Sequence, residues 1–323
     1  MANNVVNLEK LPKTSSQYIW ADYIELLALY NNDRQISKSD VLDRLQERSD
    51  LGETEDLDRD LAVQIQPDDR WTLALTDWFL HLEYRNSEFG NAYPFIISEK
   101  PTILKRKENL TPEQKLYVFF LLASNLWAVS KKDRSQLTSV FEIVSLEAIK
   151  SYMPSQAKSY LFGKNPLNDG PFTGKLFEKI QKLANELNET TNIREDDFAL
   201  GNTGDKGLDI VSYIPFNDKA SGTILAFAQC ACTTDWVSKQ HDSSEDAWSN
   251  IISITGRLSN MVFIPFCFRD AIGGWYHRVD IKKSILVDRP RLIYLLQEKS
   301  DKIMNSVSIS VVDEFLSEQE TIF

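Results

Sequence analysis

Apolar residues in the first half of the chain recur at offsets of three and four. In residues 18–30 (YIWADYIELLALY), Ile19, Tyr23, Leu26, Leu27 and Tyr30 form one face of a helix. Residues 37–48 predict a second helix, with Ser37 and Ser39 ahead of first-turn acids and Val41, Leu42 and Leu45 as its apolar stripe. Helical spacing returns over 70–84, over 111–129 and over 133–152, which stops before Met153-Pro154. The second of these opens on Thr111-Pro112-Glu113-Gln114, an N-cap, a proline at the first helical position and an acidic first turn. An all-helical domain is expected over residues 1–160.

Residues 154–174 hold Gly163, Pro166, Gly170, Pro171 and Gly174 and predict a linker. Beyond it the pattern changes. Residues 175–187 (KLFEKIQKLANEL) form an amphipathic helix with Leu176, Ile180, Leu183, Ala184 and Leu187 inward. Short apolar runs at 208–214, 223–232 and 261–268 predict strands. Residues 235–258 and 289–296 are expected as helices. This order predicts an α/β or α+β domain over 172–323, a sheet backed by helices.

Length agrees with two domains, because single cores stop growing near about 250–300 residues and this chain has 323. Ser124 with Asn125, and Arg257 with Asn260, interrupt the longest apolar runs, so no membrane span is expected. The first residues, MANNVVNLEKLPK, have no basic run ahead of an apolar core and do not form a signal-peptide pattern. Three cysteines, Cys230, Cys232 and Cys267, suit reduced thiols, and a cytoplasmic location is expected. No phosphate-binding glycine loop or dinucleotide fingerprint occurs, so no nucleotide cofactor is expected in this chain.

The net charge of −11 opposes nucleic-acid binding at first sight. Its distribution narrows that inference. Eleven acids against four bases lie between positions 40 and 70, and five against one between 300 and 323. From 257 to 299, eight bases face four acids, with Trp275, Tyr276 and Tyr294 interleaved. Arg257, Arg269, Arg278, Lys282 and Lys283 are therefore candidates for contact with a phosphate backbone. The acidic 40–70 segment reads as a solvated loop or as an arm covering that basic face.

Chemistry concentrates in Gly204-Asp205-Lys206-Gly207-Leu208-Asp209, followed about twenty residues on by Gln229-Cys230-Ala231. A carboxylate entering a strand after a glycine turn, beside a second strand, offers hard oxygen ligands for Mg²⁺ or Mn²⁺ at a sheet edge. The bland readings are that Asp209 caps the turn, Asp205 is a turn residue and Gln229 is a buried amide bonded to backbone. Cys230, Cys232, His241 and Cys267 total a zinc set of unusual spacing.

The GDKGLD turn and the Gln229 position resemble the PD-(D/E)XK nuclease superfamily, particularly its Mrr-type restriction endonuclease branch. The resemblance covers residues 172–296 and implies an α-β-β-β-α-β core. It implies metal binding by Asp209 and Gln229, with Glu178 on the preceding helix as a further ligand. The family pattern expects lysine two residues after Gln229, where this chain has Ala231. Lys239, on the following helix, is the substitute the resemblance suggests. Asp209, Gln229 and Lys239 are then the implied catalytic residues of a Mg²⁺-dependent endonuclease. DNA is favoured over RNA, the implied setting is prokaryotic defence against foreign DNA, and a protein partner or a homo-oligomer is expected. The alternative is a catalytically degraded nuclease fold that binds nucleic acid or a protein.

Overall fold

A computed structural model describes residues 4–51, 67–100, 102–199, 201–306 and 310–318. Much of the acidic 40–70 segment, residues 52–66, lies outside them, as do 307–309 and 319–323 of the acidic C-terminal stretch. The elements in order are α1 (Gln17–Tyr30), β1 (Gln35–Ser37), α2 (Lys38–Asp50), α3 (Pro67–Phe89), β2 (Phe95–Ile97), β3 (Ile103–Arg106), α4 (Pro112–Ser124) and α5 (Lys131–Tyr152). They continue with β4 (Lys158–Leu161), α6 (Leu176–Glu186), β5 (Thr190–Thr191), β6 (Ile210–Ile214), β7 (Ile224–Cys230), α7 (Trp236–Lys239), α8 (Glu245–Trp248) and β8 (Ile252–Ser253). The last are β9 (Leu258–Phe263), β10 (Ile285–Val287), α9 (Arg289–Leu296), α10 (Ser300–Ser306) and α11 (Ser310–Ser317). The protein is mixed α+β.

Two compact units divide the chain. One comprises Met1–Leu137, Phe266–His277 and Lys299–Phe323, the other Thr138–Pro265 and Arg278–Glu298. Each unit is discontinuous in sequence, unlike the expected split at 1–160 and 172–323.

The first unit is not all-helical. It contains an antiparallel sheet in the order β1-β3-β2. Capping boxes start α2, through Ser37 and Asp40, and α4, through Thr111 and Gln114, and each satisfies two backbone N–H groups that a helix start leaves free. Helix α1 is buried from Tyr18 to Tyr30, so its polar face is inside as well as its apolar one. That face is met by Arg85 of α3, whose Nη1 donates to Asp22 at 2.6 Å and to Glu25 at 2.8 Å.

The second unit is built on a five-stranded sheet, β10-β9-β7-β6-β4. Strands β4, β6 and β7 are antiparallel neighbours, and β9 and β10 run parallel to β7. Residues 154–174 are therefore not a free linker: β4 lies within them and pairs Ser159 with Ser212 and Leu161 with Ile210. Alternation along the strands sends Val211, Tyr213, Leu225 and Phe227 into a core with Phe162, Ile180, Leu183 and Trp248. Burying each of these large side chains is worth roughly 1.5–3 kcal/mol. The opposite face carries small residues, and the Ser159 and Ser212 hydroxyls bond there at 2.8 Å.

The helix expected over 235–258 is replaced by two four-residue turns, α7 and α8, and by strand β8. Trp236 and Trp248 are both buried from these short turns.

Candidate active site

The lower end of the β6–β7 pair brings three chain segments to one place in the second unit. Asp209 precedes β6. Its N–H donates to Ala228 O at 3.0 Å, and its carbonyl accepts from Phe162 N at 2.7 Å, so the backbone is held from both neighbouring strands. Its carboxylate Oδ2 accepts the N–H of Cys230 at 2.7 Å.

The turn that delivers Asp209 is held in place from below. Lys206 and Gly207 both have positive φ, 55° and 75°, and Asp205 Oδ1 accepts the Gly207 N–H at 2.9 Å. A Cβ on Gly207 would lie 2.3 Å from Asp242 Cβ, so the close approach as well as the dihedral demands glycine. Lys179 of α6, 2% exposed, donates to Phe162 O at 3.0 Å and to Gly204 O at 2.7 Å. Burial lowers its pKa, against the pull of Asp205.

Asp209 does not stand alone. Burial holds its carboxyl well above the usual carboxylate range, and the charge of Glu142 pushes the same way. The Cys230 N–H opposes this, Asp205 adds to it, and the Lys239 amine opposes it. Glu142, on α5, is raised by burial and by Asp205, against a 2.7 Å hydrogen bond from Asn165 Nδ2. Asn165 is itself fixed by Ser139 O and by the Leu167 N–H. Three acids thus share a small region in which Lys239 is the cation acting on Asp209.

Gln229 adds an oxygen. Its Nε2 donates to Cys230 O at 3.3 Å, whereas its Oε1 is buried with no hydrogen-bond partner. An orphaned carbonyl oxygen costs about 1–3 kcal/mol unless something else satisfies it. Gly163 lies close against the acids, since a Cβ there would come to 3.2 Å from Asp209 Oδ1 and 3.6 Å from Asp205 Oδ2.

Among the described residues, no group of three or more His, Cys, Asp and Glu side chains is arranged to hold a metal ion. That holds for the cysteine-histidine set as well, of which Cys267 lies in the first unit. Asp209 and Glu142, linked by charge, and the Gln229 oxygen at the end of β7 offer a different kind of donor chemistry, two carboxylates and one amide. Mg²⁺ commonly takes only one or two protein carboxylates and keeps several waters. The unpartnered oxygen, the side-chain-free Gly163 close against the acids and the excess of negative charge fit a hard divalent cation.

Of the residues expected from sequence, Asp209 and Gln229 lie at the adjoining ends of β6 and β7, and the charge of Lys239 bears on Asp209. Glu178 does not join them: it is exposed, and its Oε2 accepts the Lys175 N–H at 3.4 Å as part of the capping box of α6. Glu142 is the helix acid that acts on Asp209, and it was missed because 154–174 read as a linker. The pattern Lys158-Ser159-Tyr160-Leu161 was the available signal, since a strand there makes α5 the preceding helix.

The basic run also divides. Arg257, Arg278, Lys282 and Lys283 are exposed in the second unit. Arg269 belongs to the first, with its guanidinium 3.9 Å from the Trp275 ring centre and a 3.1 Å bond to Gly273 O. Tyr276 packs edge-on against Tyr18, and Arg289 is buried with Nε on Pro265 O. Tyr294 remains as an exposed stacking face. No protein-family model, no curated protein and no solved structure matches this chain.

Proposed function

We propose that the chain is a metal-dependent nuclease with DNA as its favoured substrate. The observation that carries this reading is that the buried Asp209 carboxylate is tied at 2.7 Å to the N–H of Cys230, next in sequence to Gln229 with its unpartnered oxygen, while the charges of Glu142 and Lys239 bear on Asp209. The element order α5, β4, β6, β7, α7 and β9 supports a restriction-endonuclease-like α-β-β-β-α-β core, with α6 and β5 inserted between its first two strands and α8 and β8 between α7 and β9.

Asp209, Glu142 and Gln229 Oε1 would hold Mg²⁺ or Mn²⁺, which when bound supplies Lewis acidity and a water of lowered pKa. Lys239 orients the attacking water and stabilises the charge that develops on the scissile phosphate. Cys230 N–H fixes the Asp209 carboxylate, and Asn165 fixes Glu142. Ala231 is buried and its N–H bonds Phe263 O at 2.9 Å, so an amine supplied from α7 needs no room at position 231. Arg257, Arg278, Lys282 and Lys283 supply positive charge for the phosphate backbone. A cytoplasmic effector in prokaryotic defence, working with a protein partner or as a homo-oligomer, suits this chemistry.

Plasmid and single-stranded substrates incubated with Mg²⁺ or Mn²⁺ test the reading. Wild type cuts, and Asp209→Ala and Lys239→Ala do not. Equal cutting by Asp209→Ala overturns it. The lysine missing at Ala231 favours a second reading, a nuclease fold that binds nucleic acid or a partner without cutting, and wild type that binds DNA but leaves it intact selects it.

A further inference from the structure

The residue after Lys239 joins two parts of the second unit. Gln240 is fully buried, and all four of its side-chain hydrogen-bonding positions are used. Nε2 donates to Val237 O at 2.6 Å and to Asp280 O at 2.7 Å. Oε1 accepts from Lys282 N at 2.7 Å and from Ser284 Oγ at 2.9 Å. Its carbonyl accepts Asn260 Nδ2 at 2.7 Å, which fixes the end of α7 to β9.

Lys283 lies between the two groups held by Oε1. It has a φ of 53°, a left-handed conformation that a lysine adopts only when its surroundings impose it. Lys282 and Lys283 are exposed, as is Arg278 one turn earlier. One buried amide therefore sets the path of a basic loop and anchors the turn that carries Lys239.

We propose that Gln240 is a positioning residue that holds the 280–284 loop so that Lys282 and Lys283 engage a nucleic-acid backbone in fixed register with the Lys239 amine. The link to Lys239 rests on the nuclease reading; the clamp on the loop does not. Two point charges on a fixed loop bind phosphates in one spacing, whereas on a loose loop they pay the ordering entropy on each encounter. Gln240 itself touches neither phosphate nor water.

Binding and cutting are measured separately on the full chain. Fluorescence anisotropy with a labelled DNA duplex, in EDTA over a salt series, reads the clamp. Replacing Lys282 and Lys283 together by alanine lowers the slope of log affinity against log salt by about 2, the loss of two phosphate contacts. Gln240→Met lowers it similarly, and adding the two lysine changes to Gln240→Met has little further effect. Ser284→Ala gives a weaker effect in the same direction and Ser284→Thr restores it, which covers the case in which Gln240→Met fails to fold. Additive effects, or wild-type binding by Gln240→Met and Ser284→Ala, overturn the clamp.

Cleavage of the same duplex with Mn²⁺ reads the link to Lys239. Gln240→Met lowers kcat about tenfold or more at saturating DNA, while the two lysine changes raise KM. Coupled binding without cleavage by wild type overturns the nuclease reading and leaves the clamp standing. Cleavage with additive binding effects does the reverse, and absence of DNA binding by wild type overturns both.

Discussion

Asp209 accepts the N–H of Cys230 at 2.7 Å, so the carboxylate ahead of β6 is tied to the end of β7. This bond fixes one oxygen and competes with burial and with the charges of Glu142 and Asp205, which together hold the carboxyl above its usual range. Asp209→Asn keeps an acceptor for the N–H and removes the charge. Cleavage is expected to fall at least about a hundredfold, since several kcal/mol of transition-state stabilisation depend on a bound cation. In metal-free neutral buffer the thermal midpoint is expected at or above wild type, because a buried, repelled charge is gone. A lower midpoint would mean that Asp209 serves the turn rather than the chemistry.

The same raised acids make stability depend on pH. A carboxyl whose folded pKa exceeds its unfolded value stabilises the fold below the unfolded pKa, and that contribution is lost as pH rises towards the folded value. Asp209 and Glu142 both have this sign. Metal-free protein therefore loses stability from about pH 4 upward through these two groups. A cation bound to their ionised forms offsets the loss. The rise in thermal midpoint on adding Mn²⁺ should grow between about pH 5 and about pH 8, and be abolished by EDTA. A shift independent of pH would remove Asp209 and Glu142 from the cation's surroundings.

Gly163 provides a steric test. Alanine there puts a methyl group 3.2 Å from Asp209 Oδ1, close against the acids, without removing any polar partner. Gly163→Ala should weaken Mn²⁺ binding and cleavage about tenfold, with a stability cost of about 1–3 kcal/mol or less that does not by itself abolish folding. Calorimetric titration with Mn²⁺ and denaturant unfolding separate these two quantities.

Part of this site was legible in the sequence and part was not. The glycine turn and the two apolar runs point to Asp209 and Gln229 because strand alternation and turn chemistry are local. Lys239 follows from its place on the next turn. Glu142 and Gln240 depend on pairings distant in sequence: β4 must join the sheet before α5 becomes its neighbour, and the 280–284 loop must return to α7 before Gln240 has partners. Segment 154–174 was misleading because its glycines and prolines surround a strand of only four residues. The 235–258 stretch was misleading for the opposite reason, since its helix-like residues are divided between two separate four-residue turns.

The polar face of α1 carries the last prediction. A surface helix would turn Asp22 and Glu25 to water, yet both are buried, and Arg85 meets them with one Nη1 while Nη2 donates to Tyr18 O at 2.7 Å. Tyr93 and Tyr117 hydroxyls donate to Glu25, and Ser124 donates to Asp22. Arg85 Nε donates to His81 Nδ1 at 3.1 Å, which leaves Nε2–H to donate to Arg269 O at 2.9 Å and fixes a neutral imidazole. Arg85→Met removes the cation that bonds two fully desolvated carboxylates, a loss of about 3–5 kcal/mol. The charge on the carboxylates, rather than lost packing, is the cause, so combining it with Asp22→Asn and Glu25→Gln should recover a substantial part of the stability. Urea unfolding of the single and triple variants decides this. Equal destabilisation in both would assign the effect to the volume and packing of Arg85.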